Sequence, residues 1–433
     1  MEKCRRGLSE GQLAVLLVAP ALILVILVSL YPIARTFYLS LFDLKLNEPA
    51  KNDTYFSYQI NLERYADIEY RVNNSLKKAA RNMSAEDMAA VEKVRLMAEE
   101  TNEAFLETDD KLHAQYDKIY DLQENLQKTP AELKYILVPE KVKLQLMENQ
   151  SKLLDVLAEL KKNNISEEQV NIAYQAAEDI SSTCISPNFT GLGNYISLFK
   201  ENRLFSAIGF TLQFTVITVF CELCLGLFLA NIMTKSIRGR GIVRASILIP
   251  WGMPAAVCAM TWRYLYDGQY GIVAKLFSMI GLISDPGLLL TTKGGALFSL
   301  AFADIWKTTP FMALLILAGQ QTIDGGILEA AFVDGANRVQ RYFKIVLKLL
   351  KPTILVALLF RTLDAFRVYD LVAIMTNGAP SNSTETLTLY AYKSMFSSMQ
   401  MGFGSAIAII TFLCVALICI FYIRILGANV LEK

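Results

Sequence analysis

Histidine is nearly absent from this chain: His113 is the only one in 433 residues, and it lies in a charged helical stretch. That excludes a histidine-built metal centre, and no other spacing supplies a nucleophile–base pair or a metal-ligand set. There is no G-x-x-x-x-G-K-S/T, so no phosphate-binding loop of that kind is present. Of the seven cysteines (Cys4, Cys184, Cys221, Cys224, Cys258, Cys414, Cys419), five sit in apolar runs and only Cys184 in an acidic region, which excludes a disulfide framework. Cys221-x-x-Cys224 has redox or metal spacing but falls inside a hydrophobic run, where cysteine acts as a small hydrophobe. Nearly absent too is net charge, at +1, yet residues 47–190 hold 17 Lys+Arg against 26 Asp+Glu and the remainder 25 against 15. The two parts are therefore built for different surroundings, one a solvated acidic domain and the other apolar with basic loops. The basic clusters are short and flank apolar runs, so nucleic acid is not implied.

What is abundant is long apolar sequence. Six runs approach the ~20 residues that cross a bilayer: residues 13–31, 204–233, 242–262, 296–319, 353–376 and 405–426. Lys3, Arg5 and Arg6 precede the first. Lys235, Arg238, Arg240 and Arg244 lie between the second and third, and Arg338, Arg341, Lys344, Lys348 and Lys351 between the fourth and fifth. These are alternate loops, as one consistent orientation requires, so both termini and the 329–352 loop are expected to be cytoplasmic. Arg35 and Lys45 fall outside as exceptions. The first run is too long for a signal peptide and lacks a small-residue cleavage site, so it is expected to be retained.

The acidic stretch reads as helical. Ser84 with Asp87 forms a capping box, Thr129-Pro130-Ala131-Glu132 a helix start, and Ser166 with Gln169 a third start. Leu144, Met147, Leu154, Leu157 and Leu160 set an apolar face. About three helices, packed as a hairpin or small bundle, are expected on the external side. Two roles stand open for this insert: a decoration of no fixed function, or a docking or sensing surface.

Between the fourth and fifth runs lies EAAFVDGANRVQRYFKIVLKLLKP, residues 329–352. Glu329-Ala330-Ala331 and Asp334-Gly335-Ala336 read as a short helix broken at glycine, followed by a basic amphipathic helix ending at Pro352. The small Ala330, Ala331 and Ala336 permit close approach of a partner surface. Ile345 and Leu347, with Phe343, are expected to anchor the second helix. This stretch resembles the EAA loop of binding-protein-dependent ABC importer permeases. Further matches support the carbohydrate-uptake, maltose-permease-like branch. They are Phe189-Thr190-Gly191-Leu192-Gly193-Asn194-Tyr195, Ile249-Pro250-Trp251-Gly252-Met253-Pro254, and Trp306-Lys307 with Pro310-Phe311. Met375-Thr376-Asn377-Gly378-Ala379-Pro380 resembles that family's T-x-G-G-P turn. Ala379 stands where glycine is usual, and Lys348 where proline often occurs. The matches cover residues 189–426 and the first run, and leave the insert outside.

The resemblance implies an all-α polytopic membrane protein with six transmembrane helices of type I ABC importer permease fold, plus an extracytoplasmic helical insert. Its expected parts are residues 1–46 (cytoplasmic N-terminus and first span), 47–188 (insert) and 189–433 (permease core with spans two to six and coupling loop 320–352). It implies a sugar or oligosaccharide importer subunit in a bacterial cytoplasmic membrane, passing solute by alternating access. The partners implied are a second permease, two ABC ATPases that bind the ATP and Mg, an extracytoplasmic solute-binding protein and membrane lipid. No cofactor or enzymatic activity is expected on this chain. Glu329, Ala330, Ala331, Asp334, Gly335, Ala336, Ile345 and Leu347 are the implied ATPase-coupling residues.

Charged groups inside apolar spans are costly and face a wet cavity or a partner. Here they are Glu222, Asp304, Lys307, Arg361, Asp364, Arg367 and Asp370. Asp304 and Lys307 are three apart and able to pair on one helix face, as are Arg361 and Asp364. Either these are self-neutralised structural pairs, or they line a path for a hydroxylated solute, with Glu222 facing a partner or snorkelling. The resemblance places Asp304, Lys307, Thr308, Phe311, Asp364, Ala365 and Val368 along the solute path, although the asparagines typical of such a site are missing. Two other readings remain: a permease for glycerol phosphate or another polar solute, and a membrane sensor whose ligand domain is the insert. The sensor reading expects a cytoplasmic signalling domain, whereas residues 427–433 follow the last run.

Overall fold

A computed structural model of the chain describes residues 10–81, 85–162, 167–234 and 239–430. The basic residues Lys3, Arg5, Arg6, Lys235 and Arg238 lie outside these, as do the capping serines Ser84 and Ser166. The chain forms two compact units, Met1–Leu41 with Gly191–Lys433, and Phe42–Thr190.

The first unit is built of helices among the described residues. Four of its helical stretches are long and apolar enough to cross a membrane among the described residues: Val15–Ser40, Asn202–Thr234, Lys293–Gln321 and Met401–Ile425. The first contains a widened turn at Ile26–Leu30, closed by Tyr31 N–H on the Ile26 carbonyl. That turn makes room for Pro32, whose ring otherwise clashes with the preceding turn. Asn202–Thr234 and Lys293–Gln321 form the central pair. Small residues set their approach: a Cβ on Gly226 would lie 2.7 Å from Met312 Cγ.

Two of the six expected spans depart from simple helices. The third is bent by 90° between Gly241–Gly252 and Ala255–Leu265. Pro254 lacks a donor and holds Met253 extended (φ −75°, ψ 135°), so the helix must stop and restart. Counted as one span, this pair raises the number to five. The fifth expected span breaks into Lys351–Phe366 and Asp370–Met375. Its longer piece has 16 residues, about 24 Å at 1.5 Å per residue, short of the ~30 Å hydrocarbon core. The break falls where the sequence turns polar, at Arg367, and the cavity described below opens there.

Among the described residues the second unit holds five α-helices: Leu62–Ala80 and, from residue 84 on, where about three were expected, Ala85–Leu106, Asp110–Glu124, Glu140–Lys162 and Glu167–Glu178. It also holds a small antiparallel sheet in the order β2-β1-β3, formed by β1 (Tyr58–Asn61), β2 (Tyr135–Val138) and β3 (Cys184–Ile185). The helix start expected at Thr129–Glu132 is instead a single tight turn, Ala131–Leu133, leading into β2. The Tyr-Ile-Leu-Val run after it prefers strand, and Pro139 delays the helix to Glu140. The buried face of that helix is Val142, Leu146, Leu153, Leu157 and Leu160, whereas Leu144 is 57% exposed. Helix starts are fixed locally: Asn61 accepts from Arg64 N–H at 3.1 Å, and Asp109 from Lys111 N–H at 2.8 Å.

Candidate functional site

The densest chemistry in the first unit is a buried cluster around Arg361. Three helices meet there: Asn202–Thr234 supplies Glu222, Lys293–Gln321 supplies Asp304 and Thr308, and Lys351–Phe366 supplies Arg361 and Asp364. Glu222 is fully buried, Arg361 2% exposed and Asp304 6% exposed. The Arg361 guanidinium donates through Nε and Nη2 to both oxygens of Glu222, the Nη2 bond being 2.9 Å. Nη2 also donates to Asp304 Oδ2, and Nη1 to Asp364 Oδ2 at 3.0 Å. Thr308 donates to Glu222 Oε1 at 2.7 Å. One planar cation thus holds three carboxylates, a use to which the guanidinium fork suits arginine and not lysine.

These contacts revise two sequence expectations. Asp304 pairs with Arg361 across helices, and among the described residues Lys307 makes no ion pair. Glu222 neither snorkels nor faces outward: it is the buried centre of the cluster. The Arg361–Asp364 pair forms at its spacing of three residues.

Beside the cluster opens a cavity of about 240 Å³. Asp304, Lys307, Thr308, Asp364 and Val368 line it, all expected from sequence. Arg361, Arg367, Tyr369, Asp370, Leu371 and Ala255 complete the wall. The last of these is the first helical residue after the 90° bend, so both helix breaks feed this one space. Phe311 does not belong to the wall and stacks on Trp251 at 5.8 Å. Ala365 is buried in packing, 1% exposed. The aromatic surface comes from Tyr369, whose ring lies 4.9 Å from that of Tyr392. The only sequence sign of it was an aromatic inside the polar interruption Arg367–Asp370. The wall offers carboxylates and a threonine oxygen that accept, cations that donate, and one ring, which together suit a hydroxylated solute.

The second feature is the 320–352 loop. Asp324 caps helix Gly325–Val333 by accepting from Gly326 N–H at 3.0 Å. Gly335 closes that helix at φ +84°. Ala336 N–H bonds to the Ala331 carbonyl and Gly335 N–H to that of Phe332, each at 3.0 Å, the paired bonds of a glycine-terminated helix. Asn337 at once starts the next helix through a reciprocal capping box with Gln340. Arg341 lies over the Phe332 ring at 5.0 Å and ties the two short helices together.

Glu329 and Ala330 are exposed and Ala331 is buried, while Asp334 and Gly335 are exposed and Ala336 is half-buried. Phe332, Val333 and Val339 are 65%, 84% and 64% exposed, the barest large apolar side chains of the loop. The anchors differ from expectation. Phe343 is exposed, and Ile345 and Leu347 are half-buried. Leu350 and Val346 instead pack with Met312, Ile316 and Ala357. A widened turn at Tyr342–Val346 shifts the buried register past the phenylalanine.

Residues 222–430, which contain both features, match the family described as the binding-protein-dependent transport system inner membrane component. The chain is 39% identical over 237 residues to the trehalose/maltose transport system permease protein MalF of Thermococcus litoralis, covering 55% of this chain and 79% of that one. It is 40% identical over 240 residues to the trehalose transport system permease protein SugA of Mycobacterium tuberculosis (55% and 76%). With the sulfoquinovosyl glycerol transport system permease protein SmoG of Agrobacterium fabrum it shares 35% over 256 residues (59% and 82%). Its fold is similar to a chain in the crystal structure of a bacterial ABC transporter involved in the import of the acidic polysaccharide alginate. That likeness has a TM-score of 0.51 at 22% identity, over 55% of this chain and 84% of that one.

Proposed function

The chain belongs to the family of binding-protein-dependent transport system inner membrane components, and from that membership we propose that it is the permease subunit of an ATP-driven sugar importer. In this reading solute released by an extracytoplasmic binding protein enters the cavity beside Asp304, Lys307 and Asp364. It leaves to the cytoplasm when the helices around Arg361 rearrange. The two termini and the 320–352 loop are cytoplasmic. The energy comes from two partner ATPases, which bind ATP and Mg, and a second permease completes the pathway.

The observation that carries the reading is the loop. Its apolar face of Phe332, Val333 and Val339 is uncovered, and the turn at Gly335 fixes the angle between the two short helices. A groove on a partner would receive that face, and a push on it would reach the core through Val346 and Leu350. Sugar as cargo is supported by the names of the relatives and by the wall of carboxylates, hydroxyl and Tyr369.

A second reading has its own support. Lys307 and Arg367 face the cavity and, among the described residues, form no ion pair, so an anionic polar solute such as a sugar acid or glycerol phosphate also fits. Co-expression of the chain with its neighbouring genes and purification in mild detergent tests both readings. Recovery of a second permease and an ATPase is expected, with ATP hydrolysis stimulated by the loaded binding protein. A chain that purifies alone, or with a kinase, overturns the import reading. Stimulation by anionic solutes alone selects the second cargo.

A further inference from the structure

We propose that the Phe42–Thr190 unit carries its own carbohydrate-binding cleft, distinct from the membrane cavity. The cleft, of about 620 Å³, lies between helices Leu62–Ala80 and Asp110–Glu124. That volume is within the ~300–1,000 Å³ typical of small-ligand sites.

Its wall has the groups that a sugar needs. Tyr70 and Tyr120 line it and are 57% and 42% exposed. The two rings stand on facing helices, Tyr120 with one side stacked on Tyr116 at 6.3 Å between centroids, and their open sides offer apolar faces for the C–H side of a pyranose. Asp67 stands one helical turn before Tyr70, and Gln123, Glu124 and Gln127 follow Tyr120 at spacings of three, four and seven. Carboxylates accept from adjacent hydroxyls and amides both donate and accept, so these planar groups suit vicinal diols. Gln123 is held in place by donating to the Glu63 carbonyl at 3.2 Å, which leaves its amide oxygen for a ligand. Burial raises the Tyr120 phenol above its ordinary pKa, and the Glu69 and Glu124 carboxylates add to that, so the hydroxyl remains a donor.

The rim holds a second, independent sign. Leu126 has φ +54° and is 96% exposed. Its N–H bonds to the Gln123 carbonyl at 3.0 Å, and Gln127 N–H to that of Leu122 at 2.8 Å. This is the helix-ending arrangement that glycine normally closes, here made by leucine in a conformation that branched side chains disfavour. Ending the helix accounts for this backbone, but a glycine would serve there without strain, and the leucine side chain is left bare. Such strain collects at ligand sites, and there Leu126 would cover the apolar edge of a bound ring.

The choice of carbohydrate over another hydroxylated ligand rests on the import reading; the cleft does not. The test is isothermal titration of the full chain in lipid nanodiscs, without ATPase or binding protein, using trehalose and maltose. Saturable binding is expected. Tyr70→Ala and Tyr120→Ala each weaken it about tenfold, the loss of one stacking face, whereas Tyr70→Phe, which keeps the ring, stays within about twofold. Both tyrosines are exposed, and unchanged far-UV circular dichroism shows that the variants fold. Absence of saturable binding by both sugars overturns the proposal. So does binding that Asp304→Ala abolishes and the tyrosine variants leave intact, because the sugar then sits in the membrane cavity. Neither result depends on whether an ATPase is recruited, so the import reading stands or falls separately.

Discussion

Arg361→Leu is the most demanding test of the buried cluster. The substitution removes the only cation within ion-pair distance of Glu222 and Asp304 among the described residues, both of which are almost wholly buried. Removing one partner from a buried ion pair costs about 3–5 kcal/mol, because the remaining charge has neither water nor counterion. Here two carboxylates are orphaned, so the upper end of that range is expected. The remedy should be equally specific. Glu222→Gln placed on Arg361→Leu removes one orphaned charge and should recover about 1–3 kcal/mol, although Glu222→Gln alone destabilises the wild type. Reversible unfolding in mixed detergent–SDS micelles, followed by tryptophan fluorescence, measures the full double-mutant cycle. The three tryptophans, Trp251, Trp262 and Trp306, all lie in the first unit, so the signal reports on the right part of the chain. Additive effects within about 0.5 kcal/mol refute the reasoning, as does an Arg361→Leu chain as stable as wild type. Either outcome would mean that water or a neighbouring group already neutralises these carboxylates.

Other consequences are quicker to check. Gly335→Val forces a branched residue to φ +84° at an exposed position with open space around it, a backbone cost of about 1–3 kcal/mol confined to the loop. The complex should assemble but transport little, with ATP hydrolysis no longer responsive to solute; normal uptake would rule out the coupling role. Asp304→Ala should abolish uptake, and unchanged transport of every sugar tried would remove the cavity from the path. Gly226→Leu drives a side chain into Met312 and should cost about 1–3 kcal/mol in thermal stability; an unchanged melting temperature would mean that the helices slide apart freely. Burial in the second unit raises the Glu69 carboxyl above its ordinary value of 4.5. The folded unit therefore holds its proton more tightly than the unfolded chain. The resulting stability is present below about pH 4.5 and is lost as pH rises through the folded value. Melting curves of wild type and Glu69→Gln between pH 4 and 7 should diverge in that sense, and parallel curves would count against it.

Legibility from sequence followed the range of the interaction. The loop could be read because its geometry is local. A helix ended by a glycine, with a capping Asn337 two residues later, is written within one turn of chain. The anchoring of the second helix was misread, since the widened turn at Tyr342–Val346 moves the buried positions on to Val346 and Leu350, and no residue type announces such a turn. In the acidic unit the helical period was plain, yet β2 was missed. A four-residue strand is stabilised by partners far along the chain, here Tyr58–Asn61, and not by its own sequence.

The same division separates what the sequence decided by itself from what needed the tertiary structure. Hydrophobic runs of bilayer length, their alternating basic flanks and the helical periods are properties of neighbouring residues. They determine that this is a helical membrane protein with an acidic helical domain, whatever its detailed packing. Which charges neutralise which is a different matter. At a spacing of three residues Asp304 suited Lys307, but it bonds Arg361, 57 positions away, and the same guanidinium reaches Glu222 across 139. Inside an apolar unit a buried carboxylate takes the cation that packing brings to it, because leaving either bare costs more than any local preference can offset.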